Sequence, residues 1–197
     1  MSSENLNTRD RILNAAWRLL EENPRKNVRM SDIAKKAEIS RQAVYLHFTT
    51  RAELLIATTR YLDDLLKISD QMVPVRTAQT GVEAMHAFIN VWGNHIPRIY
   101  GVAQALLVMK DIDEAANEAW QDRMSAVREE CEGIVQALDR DGTLAKVYSV
   151  DRAADILSML LSVRNWEHLT LARGWSQADY VSELKTLANR TVLNGAG

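Results

Sequence analysis

The chain has 197 residues, of which 47% are hydrophobic and 25% charged, the balance of an ordinary soluble globular protein. No apolar run approaches the ~18 residues of a membrane-spanning helix, and a single cysteine, Cys131, excludes an internal disulfide framework. The first residues lack the basic region and the apolar stretch of a secretory signal. These features predict a cytoplasmic protein with no membrane partner.

Charge is unevenly distributed along the chain. Residues 1–51 carry ten Lys and Arg against six Asp and Glu, a net charge of +4, whereas residues 52–197 carry a net charge of −6. A basic N-terminal part favours contact with a polyanion such as DNA. An imbalance of this size also arises by chance, so charge alone does not decide the matter.

Helical periodicity runs along the chain, which has only eight Gly and three Pro to interrupt it. The predicted helices lie between Asn7 and Asn23-Pro24 and over residues 31–37, 41–48, 52–70, 80–94, 97–109, 112–138, 150–172 and 177–193. Residues 74–81 are predicted to be a loop and the clearest break in the chain. No segment shows the strict alternation of a β-strand, so we expect an all-α fold.

Residues 31–48 form two short predicted helices joined by a tight turn, and the second helix suits the major groove of DNA. That groove admits an α-helix, and its base edges differ in their hydrogen-bonding pattern. Ala43, Val44 and Phe48 would hold the second helix against the first. We therefore predict a helix-turn-helix. The alternative is an ordinary α-hairpin within a helical bundle.

The polar residues of the second helix suit contacts with bases and phosphates. Arg41 matches the acceptors of guanine, and Gln42 matches the edge of adenine. The Ser40 hydroxyl either caps the helix or meets a phosphate, and capping is favoured. Contacts that fix position on the phosphate backbone are expected from Tyr45, His47, Thr49 and Arg51.

Several motifs of the N-terminal region resemble one protein family. Thr8–Ala16, Asp32–Ser40, Val44–Phe48 and Thr50–Leu55 resemble the first helix, the helix-turn-helix and the start of the fourth helix of the TetR family of repressors. The match is dense over residues 8–60. The chain departs from the family at four positions: Glu38 and Asn23 stand where Gly is common, Arg29 where a Thr often caps the second helix, and Arg51 for the usual Lys. Both arginines still suit a phosphate backbone.

The resemblance implies a DNA-binding domain over residues 1–52 and a ligand-binding and dimerisation domain over residues 53–197. It implies a transcriptional regulator, most commonly a repressor, that binds a palindromic operator of double-stranded DNA as a homodimer and is released by a small-molecule effector. In the family the last two helices form the dimer. Here they carry two apolar stripes, Ala153, Ile156, Leu157, Leu160 and Leu161, and Tyr180, Val181, Leu184, Leu187, Ala188 and Val192. The alternative is that these stripes only close the core of the monomer.

Residues 80–135 are rich in Met and aromatic side chains with a few polar groups among them, a composition typical of small-molecule sites. A stripe of this kind is more often plain core, but the resemblance favours a ligand site. The predicted ligand contacts are Phe88, Trp92, His95, Gln104, Met109, Trp120 and Met124.

The sequence does not indicate an enzyme. The four His are scattered, no His-Glu-x-x-His or paired-cysteine spacing occurs, and no nucleophile has an evident base partner. We therefore expect no catalytic residue, no cofactor and no metal site. The rival interpretation is a helical dimeric interaction module without operator binding. Glu38 and the modest net charge of the N-terminal part favour that rival, and four residues of the second helix oppose it: Arg41, Gln42, Tyr45 and His47.

Overall fold

The computed structural model describes residues 7–22 and 27–194, which are helical over most of their length. The helices are α1 (Thr8–Glu22), α2 (Met30–Lys36), α3 (Arg41–His47), α4 (Arg51–Leu65), α5 (Ile68–Gln71), α6 (Val73–Arg76), α7 (Gly81–Met109), α8 (Glu114–Arg140), α9 (Val150–Leu160), α10 (Val163–Trp166) and α11 (Gln177–Val192). The described ranges contain no β-strand, and an isolated bridge pairs Leu144 with Leu193. The prediction of an all-α fold is confirmed. No helix within these ranges has the length and apolarity needed to span a membrane.

Pro97 does not end a helix, and the predicted break between residues 94 and 97 is wrong. α7 runs through this proline without interruption. Proline has no N–H, so it cannot donate to the carbonyl of Gly93, four residues earlier. The side-chain amide of Gln177, at the start of α11, donates to that carbonyl at 2.8 Å instead. A contact distant in sequence thus replaces the hydrogen bond that the proline removes.

Three other predicted boundaries also change. The helix predicted over 52–70 ends at Leu65, and Lys67 takes the left-handed conformation with φ of 52° before α5 begins. The single helix predicted over 150–172 is broken after α9, where Ser162 caps α10 by accepting the N–H of Arg164 at 3.2 Å. α10 then continues in a π-helical segment, Glu167–Ala172. The loop predicted over 74–81 begins with the helical turn α6, because proline is tolerated in the first turn of a helix. The predicted end of the first helix at Asn23-Pro24 lies outside the described residues.

The N-terminal unit comprises the chain up to Leu66 together with Ile99–Met124. In it α1 packs on α2 and α4, and α2 packs on α3. Its core is apolar, since these helices turn their hydrophobic sides toward one another. The fully buried members include Ile12, Leu13, Ile33, Val44, Phe48, Leu54 and Leu55. The predicted division into a DNA-binding domain (residues 1–52) and a ligand-binding and dimerisation domain (residues 53–197) is a division by function, and it stays a prediction.

The C-terminal unit comprises Lys67–Arg98 and the chain from Ser125 onward. α11 packs on α9. It also approaches α7 closely, since a Cβ at Gly93 would lie 2.9 Å from Val181 Cγ2. The largest fully buried side chains of this unit are Met85, Ile89, Ile96, Leu138, Leu157 and Tyr180.

Candidate DNA-binding site

The turn between α2 and α3 is closed by backbone hydrogen bonds. Glu38 takes the left-handed conformation, with φ of 56°. The N–H of Ile39 donates to Ala34 O at 3.0 Å, and the N–H of Glu38 donates to Lys35 O at 3.2 Å. This is the Schellman arrangement that ends many helices, usually with glycine in the left-handed position. Glu38 therefore stands at a position where its side chain strains the backbone.

Ser40 starts α3 by capping it. Its Oγ accepts the N–H of Ala43 at 3.1 Å, which satisfies one of the backbone donors left open at a helix N-terminus. The expectation that this hydroxyl serves as a cap is confirmed. α3 is thus fixed at its beginning by the same short turn that sets its direction away from α2.

α3 buries one side and exposes the other. Val44 and Phe48 are 0% and 1% exposed and belong to the core of the N-terminal unit. Arg41, Gln42 and His47 are exposed, as is Tyr45, which is 43% exposed. The structure therefore places four of the predicted DNA contacts together on the outer surface of one short helix.

Arg41 and Tyr45 lie side by side on this helix. Arg41 Nη2 donates to the Tyr45 hydroxyl at 3.3 Å, and the guanidinium lies 5.5 Å from the ring centroid. The hydrogen bond to Tyr45 raises the pKa of Arg41, so the guanidinium stays charged. A charged donor and a phenol are thus available together, one turn apart on α3.

Two further predicted DNA contacts, Arg29 before α2 and Thr49 between α3 and α4, are exposed. Arg29 is the N-cap residue of α2, and its N–H donates to Asp32 Oδ2 at 3.2 Å. Thr49 precedes α4, and its N–H donates to Glu53 Oε2 at 2.8 Å. Both side chains are accessible to a phosphate backbone.

Arg51 is placed differently from the other predicted contacts. Its Nη1 lies 2.6 Å and 2.7 Å from the two carboxylate oxygens of Asp113, and its Nε donates to Val28 O at 2.6 Å. The side chain of Asp113 is only 5% exposed. Arg51 therefore connects parts of the N-terminal unit, and its contact with a phosphate stays a prediction.

Leu46 is a candidate that sequence reasoning missed. It lies on α3 between Tyr45 and His47, and 87% of its surface is exposed. The signal was its position two residues after Val44, because residues two apart lie on nearly opposite sides of a helix. A buried Val44 therefore requires an outward-facing Leu46.

The N-terminal sequence matches a known family model. Residues 12–58 match the family described as bacterial regulatory proteins, tetR family, a segment that runs from α1 into α4. Residues 12–58 are therefore similar to the N-terminal segment of this family. The resemblance seen in the motifs is thereby confirmed, and the matched segment contains α3 with its exposed polar residues.

Solved structures share the fold of nearly the whole chain. A Saccharomonospora viridis protein described as a transcriptional regulator, in complex with choline, has a TM-score of 0.72 at 19% identity, covering 95% of this chain and 98% of its own. A Rhodococcus sp. protein described as a TetR-family transcriptional regulator has a TM-score of 0.73 at 19% identity, covering 93% of this chain and 97% of its own. The transcriptional regulator FadR from Bacillus subtilis, in complex with stearoyl-CoA, has a TM-score of 0.73 at 15% identity. The match covers 91% of this chain and 96% of FadR. These likenesses confirm the predicted fold, in which a larger helical domain follows the helix-turn-helix. No curated protein matches the sequence.

The predicted ligand contacts fall into both units. Phe88, Trp92 and His95 belong to the C-terminal unit and are 3%, 4% and 1% exposed. The rings of Trp92 and His95 lie 5.7 Å apart, and Trp92 Nε1 donates to Leu161 O at 2.8 Å. Trp92 and His95 thus pack together in the core of their unit, and Phe88 is buried one turn earlier on α7.

The other predicted ligand contacts, Gln104, Met109, Trp120 and Met124, belong to the N-terminal unit. Met109 is part of its hydrophobic core, and Trp120 packs against that core. A cavity of about 620 Å³ opens in the same unit between side chains of α1, α4 and α8. The predicted contacts are not among the side chains that line it, which carry five carboxyl groups and two guanidinium groups.

Groups with metal-binding chemistry do not converge in the part of the chain that the structure describes. Three or more His, Cys, Asp or Glu side chains do not meet there as ligands of one ion would.

Proposed function

We propose that this protein is a transcriptional repressor that binds a palindromic operator as a homodimer and leaves it when a small-molecule inducer binds. The observation that carries the proposal is α3, a capped helix with Val44 buried and Arg41, Gln42 and Tyr45 exposed. Such a helix can lie in the major groove with its N-terminal residues at the base edges. Arg41 and Gln42 would read bases, while Arg29, Ser40, Tyr45, His47, Thr49 and Arg51 would contact the backbone.

The direct test is binding of the purified protein to DNA from upstream of its own gene, against unrelated duplex, across a range of salt concentrations. We expect selective binding whose logarithm falls linearly with the logarithm of salt, because phosphate contacts release counterions. Deletion of the gene should raise transcription from that upstream region if the regulator represses it. Equal binding to operator and unrelated DNA at low salt would overturn the proposal in favour of an interaction module.

A pair of variants assigns the binding to α3. Arg41→Ala combined with Tyr45→Ala should weaken operator binding about 10- to 100-fold, through loss of a base contact and a phosphate contact. Arg140→Ala removes the same positive charge from an exposed position at the end of α8 and should leave binding unchanged. An equal loss in both variants would point to net charge alone.

The proposed dimer is supported by apolar side chains that the single chain leaves exposed. Most residues of the predicted stripes, including Ala153, Leu157 and Tyr180, are buried within the chain and close its own core. α9 nevertheless presents Met159, which is 59% exposed, beside the half-buried Ile156 and Leu160. These three occupy positions i, i+3 and i+4, one face of a helix. Leu171 and Trp175, which precede α11, are also exposed apolar residues.

The dimer is tested by light scattering coupled to size-exclusion chromatography. We expect the mass of two chains for the wild type. Met159→Lys would place a charge in an apolar interface and should shift the protein toward the monomer. Val147→Lys alters a side chain that is 76% exposed, outside this face, and should leave the mass unchanged. A monomeric wild type would overturn the proposed dimer.

The proposed inducer is supported by relatives of the same fold whose structures contain choline or stearoyl-CoA. Choline and stearoyl-CoA are therefore the probes, and thermal unfolding is the readout, because a ligand bound only to the folded state raises its stability. A compound that raises the melting temperature should weaken operator binding, and operator should weaken its binding by the same factor. Stabilisation without any change in operator affinity would contradict release by that compound.

A further inference from the structure

The outward direction of α3 is defined by its buried residue. Val44 is 0% exposed and points into the core of the N-terminal unit. Successive residues of an α-helix are about 100° apart, so Gln42 and Leu46 each point about 160° away from Val44. These two side chains are therefore the pair most directly opposed to the core. Tyr45 lies to one side, tied to Arg41 by the hydrogen bond between them.

Leu46 brings to this face a chemistry that the polar residues lack. It has no hydrogen-bonding group, and its 87% exposure leaves an apolar side chain in water. In the major groove the apolar group of the bases is the C5 methyl of thymine. Gln42 and Leu46 lie about 6 Å apart along the helix axis, so they can address neighbouring base pairs.

We propose that Leu46 is a specificity-determining residue that packs on the C5 methyl of one thymine in each operator half-site, beside the adenine that Gln42 reads. The proposal rests on the proposed function, since it requires α3 to enter the major groove. It predicts that the operator carries an essential A·T pair whose thymine methyl, and not only its hydrogen-bonding pattern, is recognised.

The test replaces each thymine of the identified operator, one position at a time, by deoxyuridine, which lacks only the methyl group. The wild-type protein should lose about fourfold in affinity at one thymine of each half-site, the effect of removing one buried methyl. Leu46→Ala should bind the unmodified operator more weakly and should no longer distinguish thymine from uracil at that position. Leu46→Met should retain part of the discrimination, because its side chain is also apolar.

Ile112→Ala is the matched control, since Ile112 is an apolar residue of the turn between α7 and α8 and is 80% exposed. It should keep both the affinity and the preference for thymine. Helix content measured by circular dichroism shows that each variant is folded. If the wild type lacks selective operator binding, the proposed function itself fails. If it binds selectively but is indifferent to uracil, or if Leu46→Ala keeps the preference, the role of Leu46 is overturned.

Discussion

Arg51 and Asp113 form a two-point ion pair between the first residue of α4 and the residue that precedes α8. Arg51 Nη1 lies 2.6 Å and 2.7 Å from the two oxygens of the Asp113 carboxylate, and the side chains are 19% and 5% exposed. Asp113 Oδ1 also accepts the N–H of Ala116 at 3.1 Å. Arg51 Nε donates to Val28 O at 2.6 Å, so the pair joins α4, α8 and the segment before α2.

Breaking this pair should destabilise the protein strongly. Arg51→Met or Asp113→Asn should each lower the free energy of unfolding by about 2–4 kcal/mol, because the remaining group loses its partner in a poorly solvated place. Chemical denaturation measures the effect. Arg51→Met should cost more, since it leaves the carboxylate of Asp113 both charged and buried.

The control is the neighbouring pair between α4 and α8, in which Arg60 Nη2 lies 2.7 Å from Asp122 Oδ1. The side chain of Arg60 is 65% exposed, so water and salt screen the attraction. Arg60→Met should therefore change the free energy of unfolding by no more than about 1 kcal/mol. Equal losses at Arg51 and Arg60 would mean that burial does not set the strength of these pairs.

Glu38→Gly should stabilise the protein. Residue 38 has φ of 56°, a conformation that costs an L side chain about 1–2 kcal/mol and glycine almost nothing. Part of the gain is lost because glycine also makes the unfolded chain more flexible, and a net gain of about 0.5–1 kcal/mol is expected. Glu38→Ala removes the same charge but keeps the strain. A gain of the same size in the alanine variant would attribute the effect to charge.

Gln177→Ala should destabilise the protein more while Pro97 is present than after Pro97 has been replaced. The variant loses the hydrogen bonds to Gly93 O at 2.8 Å and from Trp166 Nε1 at 2.9 Å, at a cost of about 1–3 kcal/mol. In a Pro97→Ala background the new N–H of residue 97 can donate to Gly93 O, so the same change should cost less. A double-mutant cycle of unfolding free energies isolates this difference. Identical costs in both backgrounds would show that Gln177 does not compensate for the proline.

Cys131 should react only when the protein unfolds. Burial, with a smaller contribution from Glu130, raises the pKa of its thiol to about 12, so little thiolate exists at neutral pH in the folded state. A thiol-specific disulfide reagent at pH 8 should label it at the rate of unfolding. Rapid labelling of the native protein would contradict this assignment.

The same shift gives a pH dependence of stability. An unfolded thiol ionises near its ordinary pKa of about 8.5, whereas the folded one keeps its proton. The contribution of Cys131 to stability is therefore complete below about pH 8.5 and is lost as the pH rises toward 12. Cys131→Ala should flatten the fall in unfolding free energy over this alkaline range. The slope does not vanish, because burial also raises the pKa of Tyr180.

The local features of the DNA-binding region could be predicted because they are encoded by neighbouring residues. Helical periodicity and the tight turn predicted α2 and α3, and the hydroxyl of Ser40 predicted the cap. The expectation that Glu38 occupies a position suited to glycine agrees with its positive φ. The exposure of Arg41, Gln42 and Tyr45 followed from the apolar side of the same helix.

Other features depended on groups far apart in the chain, which no local pattern pairs. From the sequence we predicted that Arg51 contacts the phosphate backbone of DNA. Its ion pair with Asp113 is seen only in the folded N-terminal unit, because the two residues are distant in sequence. A break was predicted between residues 94 and 97, but α7 continues through Pro97, and the side-chain amide of Gln177 donates to the carbonyl of Gly93 in place of the missing N–H. The apolar stripes of the last helices look the same for a monomer core and for a dimer face, and only packing divides them into buried residues and half-buried ones. Periodicity shows which side of a helix is apolar; the tertiary structure alone decides what covers it, because burial is a property of the partner as well as of the helix.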